Sequence, residues 1–386
     1  MNEFDTVIPR KNTNSVKWDT PIKNYEKDSL LPLWIADMDF PALPAVQTAF
    51  CEYVNQGIFG YATFPNELYE SIINWQAKQH QYTLKKEEIL FHSGVVPSIA
   101  LAIQAFTKPN DAILIHDPVY PPFAAVIKAN QRKLIRNQLT GTQTFQIDFE
   151  LFEKLIIEEN VKLFILCNPH NPGGRVWKQE ELYQIGLICQ KHQVLVISDE
   201  IHQDLVFAPH VFTTYHNVDT TFKEHSIILT SATKTFNLAG IKQSMVFIKN
   251  PDLRQRFKTI QKQLCQNEIN TFGMIGTQAA YQHGEQWLMD LLAYIEKNIQ
   301  FTLNFLDQHL PNIYYMKPEA TYLIWLDFSA YQLTNSQLNK KMIEEAGVVL
   351  NSGIPFGSRG DQHMRLNVAC PRSILETALQ RIAQVF

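Results

Sequence analysis

Ser231-Ala232-Thr233-Lys234 follows the apolar run Ile227 to Thr230, so Lys234 stands where a doubly wound sheet presents its ligand side. A lysine there is either a surface charge that happens to follow a strand or a desolvated amine. Burial disfavours the charged form, and a neutral amine can form a Schiff base with a carbonyl compound. The tetrapeptide also fits the S-x-x-K motif of serine nucleophiles, but that scheme needs S-D-N and K-T-G as well, and neither occurs in the chain.

Ser198-Asp199-Glu200-Ile201-His202 comes directly after the apolar run Val194 to Ile197. Two acids and an imidazole at a strand end can be simple solvation or part of a metal set, although the ligand spacing of H-E-x-x-H is missing. In a third reading, Asp199 faces a ring nitrogen and keeps it protonated. Asn168-Pro169-His170-Asn171-Pro172-Gly173-Gly174 is a rigid turn after Val161 to Cys167, either a plain loop or a holder that aims the Asn171 amide at a ligand oxygen. Ser93-Gly94-Val95-Val96-Pro97 opens an apolar helix whose first N–H groups could take a phosphate. Asp117 to Phe123 brings Tyr120 to the same side, as a core ring or a ligand contact. In His363 to Val368, Arg365 alternates onto the polar face, where its fork suits either a salt bridge or a substrate carboxylate.

The elements that must position these residues read as a parallel α/β unit over about residues 88–250. Strands are predicted at Ala112 to His116, Val161 to Cys167, Val194 to Ser198, Ser226 to Thr230 and Ser244 to Ile248. Helices are predicted at Pro97 to Phe106, Pro121 to Asn130, Phe149 to Glu158 and Lys178 to His192, which gives helices on both sheet faces. Long helices then run through Leu253 to Leu264 and Gln286 to Leu306. Beyond them come strands at Ile313 to Met316, Tyr322 to Asp327 and His363 to Val368, a helix near Leu338 to Ala346, and a last helix from Pro371. The expected division is an N-terminal arm over 1–44 that belongs to the small domain, a large domain over 45–285, and a small α+β domain over 286–386.

With 386 residues, 45% of them hydrophobic, the chain can bury more than one core. Its 34 basic and 38 acidic residues leave a formal charge of -4, which argues against a nucleic-acid or membrane-surface partner. No stretch suits a membrane helix and the N-terminal segment has no apolar signal core, so a cytoplasmic protein is expected. The five cysteines have no metal-ligand spacing and are expected to be buried thiols; no metal is expected.

Taken in order, these segments resemble the fold-type I pyridoxal 5'-phosphate (PLP) enzymes of the aminotransferase superfamily. Within it, the chain more closely resembles bacterial MalY/PatB-type cystathionine β-lyases (C-S lyases). The residues that carry this are Trp34-Ile35-Ala36-Asp37-Met38-Asp39-Phe40, Gly60-Tyr61, Ser93 to Val96, Asp117 to Phe123, Ser198 to His202 with Asp204, Lys234 to Gly240, and Arg365 to Arg372. The resemblance implies a large domain with a mainly parallel seven-stranded sheet plus a smaller α+β domain. It makes Lys234 the Schiff-base lysine, Asp199 the pyridinium partner, Asn171 a donor to the cofactor's phenolic oxygen and Tyr120 a ring that stacks on the cofactor and serves catalysis. Val95, Val96, Ser231, Lys242 and His202 complete the cofactor site, and Arg365, Asn171 and Ala36 the substrate site. Tyr61 would reach the phosphate of a neighbouring subunit, implying a homodimer with shared sites. His202 replaces the tyrosine of many relatives and agrees with the lyase subgroup, whereas Lys242 replaces an arginine and keeps the charge without the fork. The implied activity is β-elimination of L-cystathionine or another cysteine thioether. An aminotransferase and a PLP-binding regulator with secondary lyase activity are the alternatives.

Overall fold

Apolar runs that lack alternation must be covered on both faces, and the computed structural model, which describes residues 3–386, shows how. Its strands are β1 (Leu31–Pro32), β2 (Ile89–His92), β3 (Ala112–Asp117), β4 (Lys133–Gln138), β5 (Val161–Cys167), β6 (Leu195–Asp199), β7 (Ser226–Thr230), β8 (Ser244–Phe247), β9 (Tyr314–Met316), β10 (Leu323–Asp327), β11 (Val348–Val349), β12 (Asn351–Ser352) and β13 (His363–Asn367). Strands β2 to β8 form a seven-stranded sheet of order β2-β8-β7-β6-β5-β3-β4, parallel except that β8 runs against both its neighbours. Alternate residues feed two cores: Ile113, Ile165 and Ile197 enter one, Leu114, Phe164 and Val196 the other.

The helices are α1 (Asp19–Tyr25), α2 (Pro44–Asn55), α3 (Asn66–His80), α4 (Val95–Phe106), α5 (Pro121–Ala129), α6 (Phe149–Glu158), α7 (Gln179–Lys191), α8 (Tyr215–Val218), α9 (Ala232–Thr235), α10 (Pro251–Gln263), α11 (Thr271–His283), α12 (Glu285–His309), α13 (Asn335–Lys340) and α14 (Arg372–Ala383). Ile99, Phe123 and Phe257 bring α4, α5 and α10 to one sheet face, while Ile156, Ile185 and Trp75 bring α6, α7 and α3 to the core on the other. No helix among the described residues is long and apolar enough to cross a membrane.

The second sheet is antiparallel, in the order β12-β13-β10-β9. Nearby, β1 pairs in parallel with β11, Leu31 opposite Val348, which sews the N-terminal segment to the C-terminal part. We propose the division 1–44, 45–285 and 286–386 on two grounds. Helix α10 packs on α4 of the large sheet, and α12 packs on α14.

Several elements depart from the sequence reading for physical reasons. Strand β4, Lys133–Gln138, is a half-polar edge strand and so has no apolar run to betray it. Helix α3 buries Leu68, Ser71, Ile72, Trp75 and Gln76, a helical stripe masked by its two polar members. Strand β6 extends through Asp199, and α4 begins at Val95 rather than Pro97. The helix expected at 338–346 is α13 followed by a wider turn, Lys341–Glu345. Cys51 and Cys265 are exposed, not buried, while Cys167, Cys189 and Cys370 are inside.

One loop of the C-terminal part closes against the large sheet. Val119 N–H donates to Phe356 O at 3.0 Å, and Ser358 Oγ donates to Asp117 Oδ2 at 2.8 Å. Gly357 between them has φ 147°, a region open essentially to glycine, and a Cβ there would overlap the Asp117 carboxylate. Gly357→Ala should therefore destabilise the fold by about 1–3 kcal/mol, read as a lower melting temperature.

Candidate active site

Chain segments leaving the C-terminal ends of β2, β3, β5, β6 and β7 line a cavity of about 220 Å³, and Ala36 and the Ala239–Gln243 turn complete the lining. At one end lies the start of α4. Gly94, with φ 137°, turns the chain into the helix, and Ser98 N–H already bonds Gly94 O at 3.0 Å. Pro97 has no N–H, so the first-turn donors left for a ligand are those of Val95 and Val96. They sit at the positive end of the helix dipole, which favours a phosphate.

Thr233, Lys242 and Gln243 line the same cavity, and Gln243 Nε2 is buried without a partner. Ser231 is not a lining residue. Its hydroxyl donates to Gln243 O at 2.6 Å and accepts from Thr233 N–H at 3.2 Å, which caps α9 and fixes the turn that carries Lys234. Gln243 is thus a site residue the sequence reading missed; its only signal is a glutamine at the head of an apolar strand.

Lys234 Nζ donates to the main-chain oxygen of Ala36, which also accepts from Tyr322 Oη at 3.1 Å. Burial, reinforced by the Arg365 cation, lowers the amine from 10.5 to about 8, while Asp37 and Asp199 pull it the other way. Asp199 closes β6, and its carboxylate accepts from Ile201 N–H at 3.1 Å. Burial raises Asp199 to about 7 against the opposing pull of that hydrogen bond and of Lys234. Glu200 points elsewhere: its carboxylate accepts from Ser198, Thr214 and the Tyr215 N–H, which pins the following loop. His202 lines the cavity with Nδ1 unpartnered; burial, together with Lys234 and Arg365, holds its imidazole neutral, at about 3.

Tyr120, at the head of α5, lines the cavity, and burial raises its phenol, as does Asp199. His170 Nε2–H donates to Pro118 O at 2.8 Å and so ties the Tyr120 loop to the Asn171 loop, whose Asn168–Pro169 bond is cis. Asn171 Oδ1 accepts from Arg365 Nη1 at 3.0 Å, leaving its amide nitrogen as the donor for a ligand. Arg365 is 4% exposed, and its other nitrogen, Nη2, donates to Asn351 Oδ1 at 2.6 Å and to Trp34 O at 3.3 Å. Phe356 lies 5.0 Å from its guanidinium carbon. Burial lowers Arg365 to about 10, Nε has no partner, and among the described residues no carboxylate pairs with it. A buried cation of this kind is costly until an anion arrives.

Tyr61 lies apart. It is fully exposed, beside Ile58 and Phe59, and does not line its own chain's cavity.

These residues suit PLP: free helix-start donors and Lys242 for a phosphate, a depressed amine for an aldehyde, and a buried acid for a ring nitrogen. A sheet that carries such an amine just beyond β7 and the acid at the end of β6 is the framework of fold-type I PLP enzymes. Residues 29–382 match the family Aminotransferase class I and II, and the chain belongs to that family. It is 39% identical to cystathionine beta-lyase PatB of Bacillus subtilis, over 98% of each chain. Its fold matches that of cystalysin from Treponema denticola, which contains PLP, with TM-score 0.97 and 33% identity over 100% of this chain and 98% of the other. The PLP-bound C-S lyase of Staphylococcus hominis matches with TM-score 0.92 and 33% identity over 99% and 97%.

The charge balance around Lys234 can be measured directly. In the full chain free of cofactor, pulse acetylation of Lys234, followed by peptide mass spectrometry, should rise through a midpoint near pH 8, because only the neutral amine reacts. Arg365→Met removes a cation that depresses the amine, so its midpoint should lie higher.

Proposed function

We propose that this chain is a PLP-dependent carbon–sulfur lyase that cleaves L-cystathionine or another cysteine thioether to pyruvate, ammonia and a thiol, homocysteine in the first case. The observation that carries this reading is a depressed lysine amine lining the cavity together with a buried arginine without an internal anion, which lies behind the lining and reaches it through Asn171. The likeness to a relative named cystathionine beta-lyase supports a thioether as the substrate.

When bound, PLP supplies an aldehyde that joins the substrate amine and a ring that accepts the electrons left on Cα. Arg365 and Asn171 bind the α-carboxylate, and the contacts of Arg365 with Asn351 and Trp34 O fix the fork's direction beforehand. Ala36 borders the space where that substrate lies. Lys234 Nζ, neutral in half the molecules at about pH 8, takes the proton from Cα. Asp199, raised by burial to about 7 without the cofactor, would hold the protonated ring nitrogen, which favours its ionised form. Tyr120 would cover the ring, Val95, Val96 and Lys242 would hold the phosphate, and neutral His202 would line the site without adding charge. Ser231 acts there through the turn it caps. Loss of the thiolate from Cβ and hydrolysis of the remaining three-carbon unit complete the balance: thioether and water in, pyruvate, ammonia and thiol out.

The assembly we propose is a homodimer in which exposed Tyr61 completes the phosphate site of the partner subunit. Its exposure next to Ile58 and Phe59 supports a covered surface there. A small-molecule amino-acid substrate accords with the family to which the chain belongs, and we propose a cytoplasmic location.

Incubated with L-cystathionine and no keto acid, the purified protein should release pyruvate and thiol in equal amounts. Amino-group transfer that begins only on adding a keto acid, with no thiol released, would overturn the lyase reading in favour of an aminotransferase. Lys234→Ala should lower turnover by about 10²–10⁴-fold, and near-normal turnover in that variant would remove Lys234 from the mechanism.

A further inference from the structure

The oxygen that receives the Lys234 amine has a second donor that sequence reasoning did not single out. Ala36 O accepts from both Lys234 Nζ and Tyr322 Oη, the latter at 3.1 Å, which occupies both lone pairs of the carbonyl. Two of the three groups are fixed. The backbone around Ala36 is held by Asp37 N–H on Ile35 O at 2.9 Å and by Asn367 Nδ2 on Ile35 O at 2.6 Å and Asp37 O at 2.7 Å. Tyr322 is fully buried, its main-chain oxygen accepts from Val368 N–H at 2.9 Å, and its ring meets His202 edge-on at 6.3 Å.

The residue before it is also constrained. Thr321 is β-branched yet has φ 70°, and its N–H donates to Leu205 O at 2.7 Å. Strain of that kind persists where the surroundings impose it and clusters at functional sites. The backbone that carries Tyr322 is thus held on both sides, whereas Lys234 reaches Ala36 O on a flexible four-carbon stem.

We propose that Tyr322 is a positioning residue: through the carbonyl of Ala36 it sets how firmly, and in which direction, the free Lys234 amine is held. This rests on Lys234 being the reactive amine, and not on which thioether is cleaved. Two donors on one oxygen each bond more weakly than either would alone. An ammonium gains more from a carbonyl than a neutral amine does, so the Tyr322 hydrogen favours the neutral amine. The other charged or titratable groups that act on Lys234 or line the cavity with it are Arg365, Asp37, Asp199, His202, Tyr120, Cys167 and Lys242, and all are retained when the hydroxyl alone is removed.

The test is the pH dependence of Lys234 acetylation in the full chain stripped of cofactor, read by peptide mass spectrometry. Tyr322→Phe keeps the ring and should raise the midpoint by about 0.5–1 pH unit, the equivalent of one modest hydrogen bond. Tyr322→Leu should raise it as well, whereas Tyr281→Phe, at a buried phenol outside the cavity, should leave it unchanged. In the loaded enzyme, the acidic limb of the kcat profile should move the same way, with KM little altered. An unmoved or lowered midpoint in Tyr322→Phe, a rise confined to Tyr322→Leu, or an equal rise in Tyr281→Phe overturns the proposal. The acetylation readout needs no turnover, so it stands or falls separately from the lyase reading.

Discussion

Backbone carbonyls outside helices and sheets still need hydrogen-bond donors, and between Trp34 and Phe40 side chains supply them. Trp34 O takes Arg365, Ile35 O and Asp37 O take Asn367, and Ala36 O takes Lys234 and Tyr322. Met38 O takes Arg10 and Asn237, and Phe40 O takes Asn237 again. From beneath, Asp39 holds the segment through Arg10, fully buried Lys17 and the Trp18 indole. The segment therefore fixes Lys234 and Arg365 relative to one another. One group comes from the turn after β7 and the other from β13, elements of different sheets that do not pair.

A second constraint is electrostatic. Lys234 and Arg365 share a buried space, and burial together with their mutual repulsion lowers the lysine to about 8 and helps keep His202 neutral at about 3. Such a site is stable only because its cations are hydrogen-bonded to neutral oxygens of Ala36, Trp34, Asn171 and Asn351. Those oxygens hold the side chains in place without cancelling their charge. An incoming carboxylate therefore meets an oriented and unneutralised fork, and the interaction is stronger for the low dielectric around it.

Much of the candidate site was legible in the sequence because polar residues at strand ends follow apolar runs. Lys234, Asp199, Asn171 and Tyr120 were found that way, and the structure gathers them around one cavity. What escaped was set by tertiary context. Gln243 and Tyr322 lie in or beside apolar strands, where a polar residue reads as a core or edge position. Ser231 caps α9 locally through Thr233 N–H, but its anchoring to the main-chain oxygen of Gln243, twelve residues ahead, lies beyond any local pattern. Helix α3 was invisible because Ser71 and Gln76 interrupt its apolar stripe, although both are buried.

The two ionisable groups at the strand ends are coupled. Burial raises Asp199 and lowers Lys234, and each carboxylate charge that forms favours the ammonium. On the proposed reading, Asp199 would hold the protonated ring nitrogen of PLP, and that partner would keep the carboxylate ionised and weaken its pull on the lysine. The amine would then be left with burial and Arg365, which favour the neutral base, against Asp37, which favours the ammonium. In the cofactor-free chain each of the two charges favours the other, and a bound ring would release the amine from the Asp199 part of that coupling.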